Sequence, residues 1–253
     1  MKMKVMTFNL RIRTKSDGEN MFDFRQDRIV NVIRNEAPDV IGFQEASCYM
    51  ADVLQKQLPE YYFLAHGREA DYRGEAPLIA YRWDRFFLHS FEQEMLSLEP
   101  QKNGTRIEGI GQSECPRAFA CAELICKENS KRFAFCNVHT DHIDQTVVFA
   151  ECVMLMQNLG RRELPFVLTG DFNATPDTLA IKMINGTAEA MGTVDATSKI
   201  ETSFHGYGKR QENLKIDYIF TNLPTDPSES YAVPNPKEGF YSDHFALCAY
   251  TEL

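Results

Sequence analysis

Apolar positions along the chain follow two periodicities, one typical of strands and one typical of helices. Alternating or short continuous apolar runs predict strands over residues 4–10, 39–44, 61–65, 78–81, 119–126, 133–138, 165–168, 216–220 and 245–250. Helical spacing predicts helices over residues 24–36, 47–58 and 144–160. Strands and helices interleave without a regular strand–helix–strand repeat, which favours a mixed α/β sandwich of two sheets over a parallel barrel.

The bulk properties of the chain are those of a globular protein. Hydrophobic residues make up 43% and charged residues 25% of the sequence, and no linker or repeat divides it, so we predict a single domain over residues 1–253. No apolar run approaches the roughly 18 to 20 residues that cross a bilayer, and the start Met1-Lys2-Met3-Lys4 leads straight into a strand. We expect a soluble, cytoplasmic protein without a membrane partner.

Cysteine usage and charge narrow the chemistry. Seven cysteines, an odd number without paired short spacing, predict free thiols in a reducing cytosol and argue against a cysteine-rich zinc site. The formal net charge of −9 argues against a strongly basic nucleic-acid surface, because Lys and Arg hold phosphate backbones. An acidic protein can still bind one phosphate locally at a metal-centred pocket.

Polar residues cluster where the predicted strands end. The segments are Thr7-Phe8-Asn9-Leu10-Arg11, Gly42-Phe43-Gln44-Glu45, Asn137-Val138-His139-Thr140-Asp141-His142, Gly170-Asp171-Phe172-Asn173, Ile216-Asp217-Tyr218-Ile219 and Ser242-Asp243-His244. Ionisable groups at the ends of apolar strands are costly to bury unless they pair or coordinate a metal. A shared metal pocket explains all six segments at once.

The residue types in these segments indicate which metal the pocket binds. The oxygen donors are Glu45, Asp171, Asp243 and the amides of Asn9 and Asn173. Such donors suit Mg²⁺ or Mn²⁺ better than zinc, which prefers more His or Cys. A hard cation of this kind polarises a phosphoryl group, while nearby histidines donate hydrogen bonds to its oxygens.

Taken in order, the segments resemble a known family. Asn9, Gln44-Glu45, Asn137-x-His139, Gly170-Asp171-Phe172-Asn173, Ile216-Asp217-Tyr218 and Ser242-Asp243-His244 are similar to the motifs of the endonuclease/exonuclease/phosphatase superfamily of Mg²⁺-dependent phosphohydrolases. The resemblance spans residues 5–250, and it includes a deoxyribonuclease-like and a bacterial deadenylase-like branch. It implies a four-layered sandwich, in which two mixed β-sheets lie face to face with helices outside, and an active site at one edge of the sheets.

The resemblance also implies roles for the metal and for the attacking water. Glu45 would ligate the metal with help from Asn9, and Asp243 would lie close to it. Asp171 would orient or deprotonate the water, and Asn173 would hold the water or a phosphate oxygen.

The same resemblance implies contacts to the scissile phosphate. His244, oriented by Asp217, and His139 would contact it from two sides. In deoxyribonuclease-like members the acidic partner of the second histidine would fall at Glu75 and the phosphate-binding arginine at Arg117. His142 and His205 extend the pattern toward bacterial and deadenylase-like members, and we predict that both bind substrate phosphate.

Each of these residues also has a purely structural interpretation. Asn9 and Asp171-Phe172-Asn173 could form Asx turns, Glu45 could cap the helix after Ser47, and Asp217 could pair with a buried arginine. A single histidine is more often structural than catalytic. The catalytic interpretation is favoured because all the structural ones would have to hold together.

Two other functions remain open from the sequence. A nuclease would use basic and aromatic rim residues, for which the candidates are Arg68, Tyr72, Arg73, Lys209, Arg210 and Lys215. A non-catalytic module that binds a phosphorylated partner is disfavoured because Glu45, Asp171 and His244 are all present. We expect a monomeric hydrolase whose partner is a phosphate-ester substrate, including a nucleotide or oligonucleotide, with the loop at residues 99–116 shaping its pocket.

Overall fold

The computed structural model describes residues 1–210 and 212–253. In chain order its elements are β1 (Lys2–Asn9), α1 (Phe22–Glu36), β2 (Val40–Ser47), α2 (Cys48–Gln57), β3 (Tyr61–Leu64), β4 (Glu75–Arg82), β5 (Phe86–Met95), β6 (Ala118–Cys126), β7 (Arg132–His139), α3 (Gln145–Gly160), β8 (Phe166–Asp171), α4 (Leu179–Gly186), α5 (Ala188–Met191), β9 (Val194–Asp195), β10 (Asp217–Thr221), β11 (Tyr231–Ala232) and β12 (Leu247–Glu252). Short 3₁₀ turns cover Lys15–Asn20 and Pro227–Glu229.

The described residues form two mixed sheets. One sheet has the strand order β11-β12-β1-β2-β4-β3, and the other has the order β5-β6-β7-β8-β10-β9. In each sheet one central pair is parallel, β1 with β2 and β7 with β8, and the pairs beside it are antiparallel. The prediction of a mixed two-sheet sandwich is therefore confirmed.

Three apolar layers hold the sandwich together. On β1, Met6 and Phe8 join the cluster beneath α1 and α2, whereas Met3 and Val5 join the cluster between the two sheets. This division follows from the strand period of two, which sends successive side chains to opposite faces. A third cluster packs α3 and α4 on the outer face of the second sheet. The order of layers is helix, sheet, sheet, helix, as the resemblance implied.

A polar link crosses the inter-sheet layer at Asn137. Its Nδ2 donates to the backbone carbonyls of Phe43 (2.7 Å) and Leu78 (3.0 Å) of the opposite sheet. Its Oδ1 accepts from Gln44 Nε2 at 2.6 Å and from the Thr169 hydroxyl at 3.1 Å. A side chain at Gly42 would collide with this amide, so the glycine provides the space for the link.

The predicted elements are present with boundaries shifted by a few residues, and others were missed. The apolar pattern does not predict β5, an edge strand that is largely exposed from Phe87 to Ser90. Its lack of a clean apolar alternation reflects that exposure. The strand predicted at residues 78–81 begins earlier, because β4 starts at Glu75. The short helices α4 and α5 were also not predicted.

The expectation of free thiols is wrong for one pair of cysteines. Cys121 and Cys136 lie directly opposite each other on β6 and β7 and form a disulfide. The sequence did not indicate the pair because the two cysteines are 15 positions apart in the hairpin, and only the strand register brings them together. The other five cysteines are free.

The sequence predicted that no segment is long and apolar enough to cross a bilayer. Among the described residues, none of the helices combines the length and the apolar character that a bilayer crossing requires.

A buried carboxyl group on α3 ties the loop before β6 to the rest of the fold. Glu151 is fully buried, accepts the Asp141 amide at 2.7 Å and accepts Gln112 Nε2 at 3.3 Å. Burial raises the pKa of Glu151 to about 8 from 4.5.

We expect Glu151→Gln to flatten the pH dependence of stability. Between pH 4.5 and about 8 the folded protein keeps a proton on Glu151 that the unfolded chain has lost, so rising pH removes stability across this window. Relative to the variant, the wild type should lose up to about 4 kcal/mol of unfolding free energy between pH 5 and pH 8. Urea denaturation of both proteins at several pH values measures the difference. Parallel curves would contradict the prediction.

Candidate active site

The polar segments meet at one edge of the two sheets, around a cavity of about 710 Å³. Because β1 and β2 are parallel, their carboxyl ends place Asn9 beside Gln44, next to Glu45. In the second sheet the parallel pair β7 and β8 places His139 beside Asp171. The antiparallel strand β10 adds Asp217 on the other side of Asp171. The strand register thus gathers residues that are far apart in sequence.

Asp171 is at the centre of this arrangement. Its Oδ2 lies 3.7 Å from His139 Nε2 and 3.8 Å from His244 Nε2, and it accepts a 2.8 Å hydrogen bond from Asn9 Nδ2. Burial, and then the charge of Asp217, raise the pKa of Asp171 to about 7. A carboxyl group with this pKa can both accept and release a proton near neutral pH.

His244 is held by Asp217. Its Nδ1 forms a 2.8 Å hydrogen bond with Asp217 Oδ2, so the Nε2 edge faces Asp171 and the cavity. Burial works against the charged imidazole, but the Asp217 carboxylate outweighs it and raises the pKa of His244 to about 10. One ligand atom each from Asp171, Asp217 and His244 lies within 4.8 Å of the others. Because Asp217 already engages Nδ1 of His244, this trio suits an imidazolium between two acids better than a metal ion.

His139 is in the opposite state. Burial and the positive charges of Arg117 and Arg68 hold the pKa of His139 well below its usual value. Its Nδ1 lies 3.8 Å from Glu75 Oε2, and Arg68 Nη2 lies 3.0 Å from the same oxygen. The two histidines that face Asp171 therefore differ in charge, one neutral and one cationic.

Glu45 and Asp243 form the acidic wall of the cavity. Glu45 has a left-handed backbone (φ 57°) at the point where the β2–β4 register shifts, which turns its carboxylate away from the ladder. Oε2 accepts the Ile12 amide at 2.8 Å, and Oε1 accepts Asn9 Nδ2 at 3.2 Å. Burial and the charge of Glu45 raise the pKa of Asp243. The Arg11 guanidinium is 3.9 Å from Glu45 and 3.8 Å from Asp243, beyond direct hydrogen-bond distance.

This wall fits a hard divalent cation. Two carboxylates that repel each other at a cavity surface are stabilised by a shared cation with oxygen preference. Glu45 and Asp243 are the residues that would hold it. Asn9 donates to Glu45 and Asp171 from behind, and its Oδ1 accepts the Arg11 amide at 2.9 Å, so here it orients the carboxylates.

The remaining predicted residues of the cavity are Asn173, Arg117 and His142. Asn173 donates its side-chain amide to the Thr140 carbonyl at 3.1 Å and its backbone amide to Asp171 Oδ1 at 3.0 Å. Arg117 donates to His142 Nδ1 at 2.7 Å, so the proton of a neutral His142 lies on Nε2. Burial and the charge of Arg117 lower the pKa of His142.

The structure does not place His205 among the residues that line the cavity, so the prediction that it binds phosphate gains no support from its position. Its ring stacks on Phe240 and contacts Phe245, with Gly208 and Asn235 within hydrogen-bond distance of its two nitrogens. Burial lowers the pKa of His205 to about 4. A neutral, aromatic-packed imidazole is a structural histidine. The neighbouring residue Phe204 does line the cavity, and nothing in the sequence indicated this.

Arg11 and Arg68 also line the cavity, and neither was predicted from the sequence as a site residue. Arg11 follows the end of β1 inside a segment that was already singled out, so its position was a usable signal. Arg68 was considered only as a rim residue, although its side chain is 5% exposed.

For two of these residues the structural interpretation and the catalytic interpretation are compatible. Asp171 and Asn9 each accept the amide two residues ahead, as in an Asx turn, while their other side-chain atoms face the cavity centre. The helix-capping reading of Glu45 is excluded, because Ser47 is the N-cap of α2 and accepts the Met50 amide.

Comparison with known proteins identifies the family of this chain. A model described as the Endonuclease/Exonuclease/phosphatase family matches residues 6–244. An uncharacterized protein of Acanthamoeba polyphaga mimivirus is 27% identical over 240 residues, covering 86% of this chain and 87% of the viral protein.

Solved structures share the whole fold. The crystal structure of an endonuclease/exonuclease/phosphatase from Bacteroides vulgatus is 25% identical, has a TM-score of 0.92, and covers 100% of this chain and 99% of that chain. A mannosyl-6-phosphatase from Bacteroides thetaiotaomicron is 23% identical, with a TM-score of 0.82 and 98% of each chain covered. Because the family match extends over nearly the full sequence, this chain belongs to the endonuclease/exonuclease/phosphatase family of phosphoester hydrolases.

Proposed function

We propose that the protein is a Mg²⁺- or Mn²⁺-dependent hydrolase that cleaves a phosphate ester by attack of water at phosphorus. The observation that carries the proposal is the position of Asp171 Oδ2, which lies within 3.8 Å of both His139 Nε2 and His244 Nε2. A carboxylate flanked by two imidazoles suits a water molecule that must lose a proton beside an anionic phosphate.

The metal would be held by Glu45 and Asp243. When bound, it would act as a Lewis acid that polarises the phosphoryl group and offsets charge on the leaving oxygen. The rest of the chemistry is assigned to side chains of this chain.

Asp171 would take the proton of the attacking water at Oδ2, since its raised pKa of about 7 allows a carboxyl group to hold that proton transiently. His244, kept protonated by Asp217, would donate a hydrogen bond from Nε2 to a phosphate oxygen whose charge grows during attack. His139 would contact the phosphate from the opposite side of Asp171. Asn173, fixed by Thr140, would line the path of the water.

For the substrate, the charge of the chain favours small or single-stranded phosphate esters over long duplexes. The mannosyl-6-phosphatase similarity makes sugar phosphates worth testing beside nucleotides and short oligonucleotides. All members of the site come from one chain, so we propose that a monomer is sufficient for activity.

Metal dependence is tested with Glu45→Gln. We expect the wild type to hydrolyse at least one member of a panel of phosphodiesters, nucleotides, sugar phosphates and short single strands when Mg²⁺ or Mn²⁺ is present, and to lose this turnover in EDTA. Because Glu45→Gln removes one charged ligand, the metal concentration for half-maximal rate should rise by more than about tenfold.

The matched control is Glu128→Gln, an exposed residue in the turn between β6 and β7. It should behave like the wild type. Full activity in EDTA, or an unchanged metal titration in Glu45→Gln, would overturn the proposed metal dependence.

A further inference from the structure

We propose that Arg68 and Arg117 form a second anion subsite in the active-site cavity, so that the preferred substrate carries a second phosphate group besides the scissile one. The inference rests on the proposed phosphate-ester hydrolysis and extends it to a substrate class, the bisphosphates. It concerns a part of the cavity separate from the acidic wall of Glu45 and Asp243.

Both arginines are buried with donors that lack acceptors. Arg117 is 2% exposed and Arg68 is 5% exposed, and both side chains line the cavity. Arg68 Nε and Arg117 Nε and Nη1 have no hydrogen-bond partner within residues 1–210 and 212–253. Buried guanidinium donors without acceptors are uncommon in native proteins, which points to an acceptor that is not part of the chain, such as water or an anion.

The neighbouring acceptors do not reach the free donors. Within the described residues, Glu75 Oε2 forms an ion pair with Arg68 Nη2 at 3.0 Å but no hydrogen bond, and His142 Nδ1 accepts from Arg117 Nη2 rather than from Nε or Nη1. Asp141 lies 3.8 Å from Arg117 Nε, but its oxygens accept backbone amides of Ser113 and Ile143. A small anion that enters the cavity would therefore meet free N–H groups rather than displace existing bonds.

The two cations also act on each other. Burial and the positive charge of Arg68 lower the pKa of Arg117, although the carboxyl groups of Glu151, Glu75 and Asp141 act in the opposite direction. A phosphate dianion supplies both negative charge and the planar pairs of oxygen acceptors that guanidinium groups recognise.

The scissile phosphate is not expected to reach Arg68, and we assign Arg117 to the second phosphate, whereas the resemblance implied a contact of Arg117 with the scissile one. The proposed reacting centre is Asp171 Oδ2, which lies 3.7 Å from His139 Nε2. The other ring nitrogen of His139, Nδ1, lies 3.8 Å from Glu75 Oε2. The same Glu75 oxygen lies 3.0 Å from Arg68 Nη2. The His139 imidazole and the Glu75 carboxylate thus lie between Asp171 and Arg68. A phosphate held beside Asp171 leaves Arg68 Nε without an acceptor.

The subsite is preorganised by the loop that carries Arg68. The Arg68 amide donates to the Glu75 carbonyl at 2.9 Å, and the Arg68 carbonyl accepts the Gly104 amide at 3.0 Å. Asn103 Nδ2 donates to the Gly67 carbonyl at 2.8 Å. Fixing the backbone on both sides lowers the entropy that anion binding would cost.

The first test compares substrates that differ by one phosphate group. We would measure kcat/KM with Mn²⁺ for fructose 1,6-bisphosphate against fructose 6-phosphate, and for a nucleoside 3′,5′-bisphosphate against its 3′- and 5′-monophosphates. In at least one set the bisphosphate should be preferred by about tenfold or more. Equal values in every set would overturn the inference.

Variants then connect the preference to the two arginines. Arg68→Lys keeps a cation for Glu75 but removes the Nε donor, and Arg117→Lys does the same beside Asp141, so both should fold and lose most of the preference. The control is Arg73→Lys in the same loop, whose side chain is 86% exposed and which should retain the wild-type preference. A preference unchanged in Arg68→Lys and Arg117→Lys would count against the subsite.

The second test does not depend on catalysis. Calorimetric titration of the metal-free wild type in EDTA with inorganic phosphate should show binding that weakens by about tenfold in Arg68→Lys and Arg117→Lys. If this binding is seen while no ester is hydrolysed, the proposed function fails and the anion subsite stands. Binding that is the same in all the proteins, or no binding, overturns the subsite even if hydrolysis is observed.

Discussion

Replacing Asp171 with asparagine is expected to lower kcat by about 10²- to 10⁴-fold, the usual contribution of a positioned general base. Asparagine has nearly the same size as aspartate, and its side-chain oxygen can still accept the hydrogen bond from the Asn173 backbone amide. Unlike the carboxylate, it cannot take a proton from water. It also removes the charge that His139 and His244 face at 3.7 and 3.8 Å. The measurement is initial rate under saturating metal, with circular dichroism to show that the variant is folded.

Asp177→Asn is the matched control for this substitution. Asp177 is an exposed residue a few positions further along the same loop, and its variant should turn over at the wild-type rate. Wild-type turnover in Asp171→Asn would remove Asp171 from the mechanism, and with it the central role proposed for its Oδ2.

The second large effect is expected on stability, at Asn137. Truncation to alanine would leave the Phe43 and Leu78 carbonyls and the Gln44 amide with fewer partners in a layer that excludes water. Buried polar groups left without partners cost about 1–3 kcal/mol each, so Asn137→Ala should lower the unfolding free energy by about 2–4 kcal/mol. Urea denaturation followed by fluorescence measures this value.

A surface asparagine separates this effect from a general cost of the substitution. Asn35 is exposed on α1, and Asn35→Ala should change stability little, because alanine is the better helix former. If Asn137→Ala were as stable as Asn35→Ala, the hydrogen bonds between the sheets would not contribute to holding the sandwich together.

Much of the fold could be predicted from the chain alone, for physical reasons that differ between elements. Period-two patterns of apolar residues mark β1 and β7 because one face of each strand enters the inter-sheet core. The apolar spacing of α3 marks the face that packs on the second sheet. The edge strand β5 escaped prediction because an exposed strand needs no apolar alternation.

The candidate site could be predicted in part. Ionisable residues at the ends of buried strands cost free energy to bury unless they pair or bind a metal. This cost is the reason that Glu45, Asp171 and His244 could be recognised in the sequence as candidate site residues. His205, which was assigned through the family resemblance alone, lies against aromatic rings outside the cavity. Local sequence does not distinguish the two cases, because burial in a polar cavity and burial among aromatics both follow from tertiary packing.

By itself, then, the sequence determined most of the strands and the three longest helices, that two mixed sheets would stack, and which oxygen-bearing side chains stand at strand ends. Only the tertiary structure decided that Arg68 and Arg117 share a wall, that Cys121 meets Cys136, and that both histidines face one oxygen of Asp171. The physical reason is that these relations depend on strand register and loop closure between residues distant in the chain, whereas periodicity reports only the environment of each residue's own segment.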